Sequence, residues 1–167
     1  MAAAIPAGVR TALRHTVAAV APDGLRYVPE KRWHLTILFI GPGDAMAVAT
    51  ALAGTLEQPF MPTVTLTHIG PGKAPGQLWV YAQLTPLLTQ LRAAVISRCA
   101  AAAVPIAPTA SVFVPHIHLA NVSAAVRLMS TVPLAISFSL SELELYASRP
   151  AGGETAYSPQ ARLHLRA

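Results

Sequence analysis

The stretch Pro29–Gly41, PEKRWHLTILFIG, decides the fold. It is rich in aromatic and β-branched residues and stops at Gly41-Pro42-Gly43, so it reads as a strand over 33–40. Strand side chains alternate between faces. His34, Thr36, Leu38 and Ile40 therefore share one face, and Leu35, Ile37 and Phe39 take the other. A strand with two apolar faces belongs inside a sheet, yet one face opens with an imidazole and a hydroxyl. A second stretch repeats the pattern 82 residues later (116 − 34). In Val112–Val122, VFVPHIHLANV, His116, His118 and Ala120 share a face opposite Ile117 and Leu119. Pro115 lacks a backbone donor, which favours the start or the edge of a strand.

Working outward, Val9, Leu13, Val17 and Val20 form one helical stripe, so residues 6–20 read as an amphipathic helix with Pro6 near its first turn. Residues 25–29 are extended. Asp44 caps a helix whose Ala45, Val48, Leu52 and Leu56 face inward, ended by Pro59 and Pro62. Strands follow at 63–69 and 77–84, around the loop 70–76. Thr85 and Pro86 start a helix that runs to about 102, with Leu87, Leu91, Val95 and Arg98/Cys99 along it. Further strands are expected at about 111–121 and 135–147, with a short helix between them, and a last one at 161–166 after the loop 148–160. Helices and strands do not alternate strictly, and each half carries a long helix and a histidine strand. The order is α+β.

The 167 residues are 53% hydrophobic and 11% charged, enough to bury one core, and a single domain over 1–167 is expected. Twelve Lys and Arg against seven Asp and Glu give a net charge of +5, which favours an anionic partner such as phosphate or nucleic acid. A lone cysteine, Cys99, excludes an intrachain disulfide and a multi-cysteine zinc site, and points to a reducing, cytoplasmic setting. Arg10, Arg14 and His15 interrupt the apolar start before it is long enough for a signal peptide. No run nears the roughly 18 apolar residues that a membrane helix needs.

Two histidines, each followed two positions on by a second polar group, suit phosphodiester hydrolysis. A neutral imidazole takes a proton from water while an imidazolium gives one to the leaving oxygen. The second polar group donates to a non-bridging phosphate oxygen. His116 and His118 also form an H-x-H pair of the kind that holds a metal, but no Asp or Glu follows until Glu142. His15, His68 and His164 read as structural or surface residues, and Trp79 as core.

HLT at 34–36 followed by ILFIG, and PHIHLA at 115–120, resemble the two H-x-[TS] motifs of the two-histidine (2H) phosphoesterase superfamily. The nearest group is the RNA 2′,3′-cyclic phosphodiesterases, also called 2′-5′ RNA ligases or LigT-like proteins. The lead-in RYVPEKRW, the QLWVYAQL strand and the tail ELELYASRPAGGETAYSPQARLHL keep that family's order, so the likeness covers nearly the whole chain. It implies a bilobed α+β fold: two pseudo-symmetric antiparallel sheets facing a central cleft, with helices packed outside. It implies His34 as general acid, His116 as general base, and Thr36 and His118 at the phosphate. Tyr27, Tyr157 and Arg149 are candidate contacts to the base or the rest of the substrate. The implied reaction opens 2′,3′-cyclic phosphate ends of RNA or nucleotides to 2′-phosphates, with 2′-5′ ligation as its reverse. A soluble monomer without metal or cofactor is expected.

Three departures stand out. His118 occupies the place of a threonine or serine. Asn121 stands where many members carry an arginine, a charge that Arg149, Arg32 or Lys73 would have to replace. The opening strand is reduced to the residues 2-AAAIP-6. The alternative is a relative that binds RNA or nucleotide phosphates without turnover, because its second motif is H-x-H.

Overall fold

The computed structural model describes residues 1–20, 25–59, 61–106, 112–122, 131–151 and 154–166. In chain order its first elements are β1 (Ala2–Ala4), α1 (Ala7–Val20), β2 (Leu25–Tyr27), a 3₁₀ turn (Glu30–Arg32), β3 (His34–Thr36) and α2 (Ala45–Leu52). Then come β4 (Gly54–Pro59), β5 (Thr63–Pro71), β6 (Gln77–Ala82), α3 (Pro86–Ala101), β7 (His116–Val122), β8 (Val132–Ser139), β9 (Glu142–Ala151) and β10 (Glu154–Arg166). The strands line up as β4-β10-β9-β1-β3-β7-β6-β5-β8, with β2 beside β7 on the edge that β3 also uses. All pairings are antiparallel except β4 with β10. The fold is α+β, as expected. Among the described residues the strands form one continuous ten-stranded sheet, whose first half, β4-β10-β9-β1-β3, and second half, β7-β6-β5-β8 with β2, join edge to edge at a single register pair, Leu35 with Ile117.

Apolar side chains explain this assembly. Val9, Leu13 and Val17 of α1 are buried, and α1 contacts β8 of the second half. Helix α2 buries Val48 and Leu52 and contacts β9 and β10 of the first half. It also contacts α3, whose Leu88, Leu91, Val95 and Cys99 are fully buried. Asp44 caps α2 by accepting from the backbone N–H of Met46 at 2.9 Å, and Thr85 caps α3 by accepting from Leu88 at 3.2 Å. The last carbonyls of α2 find a partner in α3. Arg98 donates to the oxygens of Ala51 (2.9 Å) and Ala53 (2.6 Å), satisfying groups that a helix end leaves open.

The long helices fall where their periodicity puts them, while strand boundaries move. The strand expected over 33–40 keeps only three residues. After Thr36 the backbone N–H groups of Ile37 and Leu38 donate to the carbonyl of Met1, so the chain leaves the ladder. Phe39, expected on an inner face, is 56% exposed. The helix expected to carry Leu56 stops at Leu52, because Gly54 at φ +105° turns the chain into β4. The strand expected over 135–147 is two, β8 and β9, and the loop expected over 148–160 is largely ladder, since β9 and β10 pair from Leu143–Leu163 out to Ala151–Glu154. The short helix expected between β7 and β8 falls mainly outside the described residues.

Candidate active site

Leu35 and Ile117, the pair that joins the two halves of the sheet, are both fully buried. Alternation then turns His34, Thr36, His116 and His118 to the opposite face. One step along the antiparallel register sets Thr36 opposite His116, and one step back sets His34 opposite His118. The four side chains line one cavity of about 400 Å³, ringed by Arg26, Tyr27, Arg32, Asn121, Thr155 and Tyr157.

Backbone carbonyls fix how each imidazole is presented. His34 Nδ1 lies 2.8 Å from the carbonyl oxygen of Arg32, and His116 Nδ1 lies 2.8 Å from that of Val114. A carbonyl only accepts, so both rings hold their proton on Nδ1 and keep Nε2 available. That atom is a lone pair when the ring is neutral and an N–H when it is charged, the two states that base and acid require. His118 is held the other way round. Its Nε2–H donates to the carbonyl of Ala120 at 3.0 Å, which leaves Nδ1 as its second nitrogen.

Both anchored histidines have a pKa below the ordinary imidazole value. Burial is the main cause for His34; the Arg32 carbonyl opposes it, and charge on the Met1 ammonium, His116 and His118 adds to it. Burial also leads for His116. There the Val114 carbonyl opposes the shift, while His118 and Lys73 lower the pKa further. Charge on His116 disfavours charge on His34, so these two protonations are coupled.

The rings are walled differently. The Tyr157 ring meets His34 edge-on at 5.2 Å between centroids, and the Tyr146 ring lies tilted at 5.9 Å. Tyr146 donates its hydroxyl to Glu144, and burial with that carboxylate pushes its pKa up. His116 instead stacks on Trp79, with centroids 3.6 Å apart and planes 13° from parallel.

The residues picked from the sequence fall into two groups. His34, Thr36, His116, His118 and Tyr27 line the shared cavity, and His34, Thr36 and Tyr157 also line a second cavity beside it. Arg149 belongs to that second cavity, also about 400 Å³, with Phe39, Gly41, Gly43, Tyr146 and Gln160. Tyr27 and Tyr157 lie on strands β2 and β10 rather than in loops, and are 46% and 40% exposed. Arg32 reaches the first cavity, where it donates to the Thr155 carbonyl and sits 5.7 Å over the Tyr157 ring. Sequence reasoning missed Arg26 and Tyr146, and it assigned Trp79 to the core without its imidazole partner. Arg26 pairs in register with Asn121, a strand pairing that spacing along the chain does not reveal. Among the described residues, no three His, Cys, Asp or Glu side chains gather as a metal site would need. Among the same residues, no helix is long and apolar enough to cross a membrane.

No family model and no curated protein matches the chain. Solved structures do. LigT of E. coli, solved with 3′-AMP, is 29% identical with a TM-score of 0.76 over 98% of this chain and 94% of its own. LigT has also been solved with ATP and with NADP+. A structure described as a phosphoesterase is 29% identical, with a TM-score of 0.79 over 99% of this chain and 96% of its own. TT0787 of Thermus thermophilus is 25% identical, with a TM-score of 0.75 over 99% of this chain and 96% of its own.

Proposed function

The chain belongs to the LigT-like group of the two-histidine phosphoesterases, and from that premise we propose that it opens 2′,3′-cyclic phosphate ends of RNA or nucleotides to 2′-phosphates. One observation carries the reading: two imidazoles, each anchored through Nδ1 to the carbonyl two residues earlier, offer Nε2 on one face of adjoining strands. His116, neutral, takes a proton from water at Nε2 as the water oxygen bonds to phosphorus. His34, charged, gives its Nε2 proton to the 3′-oxygen as the P–O3′ bond breaks. Each transfer contributes about 10²- to 10⁴-fold to the rate. The same step with a 5′-hydroxyl in the place of water forms a P–O5′ bond as P–O3′ breaks and joins two ends through a 2′-5′ linkage.

Thr36 donates its hydroxyl to a non-bridging oxygen, where negative charge is held through the transfer. His118 serves the same phosphate. Its Nε2–H is already given to Ala120, so Nδ1 donates only in the imidazolium form. Arg26, paired with Asn121 on the wall of the same cavity, supplies the positive charge that Asn121 lacks. Tyr27 and Tyr157, half exposed at its rim, offer stacking surfaces for a base. The nucleotide complex of LigT with 3′-AMP supports a substrate of this class.

The test is to incubate the protein, with EDTA, against 2′,3′-cyclic AMP and a short RNA ending in a cyclic phosphate, and to separate 2′- from 3′-phosphate products. A 2′-phosphate product that disappears in His34→Ala and in His116→Ala is the expected result. A 3′-phosphate product, or turnover that survives both substitutions, sinks the reading. The orientation of His118 favours a second reading, a phosphate-binding relative without turnover. Salt-sensitive binding of both substrates with no product would select it.

A further inference from the structure

We propose that Trp79 is a positioning residue for His116, clamping the imidazole plane and favouring its charged form. The proposal rests on His116 acting as the general base.

Three observations converge on this indole. It lies flat against the imidazole, at 3.6 Å between centroids and 13° between planes. It is 8% exposed, and among the described residues its Nε1–H has no hydrogen-bond partner. A phenylalanine or leucine would fill the same space without burying an open donor, so packing alone does not account for a tryptophan here. Finally, the chain gives way to it. A Cβ at Gly72 would lie 2.6 Å from Trp79 Nε1, 2.7 Å from its Cε2 and 2.6 Å from Gln77 Cβ, so only glycine lets the β5–β6 turn close over the ring and Gln77.

The clamp is continuous across three strands. Trp79 meets the Tyr81 ring at 5.8 Å, and Tyr81 stacks on His68 at 4.5 Å and 12°. Tyr81 is fixed in turn by donating its hydroxyl to the Pro71 carbonyl at 2.6 Å, and Thr67 hydrogen-bonds to His68 Nδ1 at 3.0 Å. His116 is thus held by a carbonyl at Nδ1 and by an indole on one face, which leaves Nε2 one direction to point. When His116 takes a proton, the ring acquires charge against the negative face of the indole, a favourable cation–π arrangement. The charged groups that oppose it are His118 beside it on β7, His34 across the seam and Lys73 of the β5–β6 turn.

The experiment compares Trp79→Phe, Trp79→Leu and Gly72→Ala in steady-state kinetics on a cyclic-phosphate substrate. In parallel, NMR follows the His116 ring through a pH titration. Trp79→Leu should lower kcat about 10- to 100-fold, the scale of a misplaced catalytic group, with KM within about twofold. Its His116 should titrate at lower pH, with a smaller change at His34. Trp79→Phe, which keeps an aromatic face, should recover most of both readouts. Gly72→Ala, which never touches His116, should reproduce the kcat loss by pushing the indole. Trp79→Leu that is folded by circular dichroism and leaves both kcat and the His116 titration unchanged would overturn the proposal. Equal loss in Trp79→Phe and Trp79→Leu would do the same. The titration needs no turnover, so a clamp that persists in a protein without phosphodiesterase activity separates this proposal from the assigned reaction.

Discussion

The two histidine motifs occupy equivalent places and are built differently. His34-x-Thr36 and His116-x-His118 lie on neighbouring strands with the same Nδ1 anchor to the carbonyl two residues back. Around that common feature, the first motif has tyrosines tilted about its ring and a hydroxyl two residues on, and the second has a stacked indole and another imidazole. The anchor sets which nitrogen does chemistry. Burial in those surroundings disfavours charge on both rings. A duplicated scaffold thus supplies two copies of one tool, and the proposed reaction divides the labour between them as acid and base.

That division breaks most visibly when either ring is lost. His34→Ala and His116→Ala should each reduce kcat/KM by about 10²- to 10⁴-fold, measured as 2′-phosphate release. The two losses should differ in pH dependence. His34→Ala removes the fall in rate at high pH, and His116→Ala removes the fall at low pH. Identical flat profiles in both would mean that the rings do not divide acid and base between them.

Arg26 tests the charge asymmetry. Arg26→Ala should raise KM about tenfold with little change in kcat, on the scale of one lost charge-assisted contact. Asn121→Arg added to it should restore most of the affinity, because the two positions face each other in register. A double variant no better than Arg26→Ala would show that the two sites are not equivalent.

The unmodified protein carries its own pH test. In the proposed reaction His116 must be neutral, so the rate rises as pH rises through its pKa; His34 must be charged, so the rate falls as pH rises through its own. Both pKa values lie below the ordinary imidazole value. The kcat/KM profile should therefore be a bell centred on the acid side of about pH 6.5. An optimum well above pH 7 contradicts this.

The smallest effect is expected at His118. His118→Thr restores the hydroxyl of the first motif and removes a charge that lowers both neighbours. Activity should stay within about tenfold, with the scale of a single hydrogen bond, while the optimum moves to higher pH. A profile that does not move would show that His118 does not act on either neighbouring ring.

Much of this was legible in the sequence. The histidine strands, α1 and α3 follow from side-chain periodicity, and the caps Asp44 and Thr85 from residue type. What was hidden depends on partners distant in the chain. Leu35 meets Ile117, Arg26 meets Asn121, and Trp79 meets His116 only through strand pairing that no local pattern encodes. Strand ends were misjudged for the same reason. β3 stops where Met1 takes its backbone donors, and β10 begins at Glu154 because β9 lies beside it.

The place of β1 has a consequence for synthesis. Its three residues sit between β3, which carries His34, and β9, which is made more than a hundred residues later. On the ribosome the His34 half of the site has no complete sheet to rest on until β9 and β10 have emerged. Pairings this distant are slow to form. A chain released before Glu142 would own both histidines and lack the sheet that aims one of them.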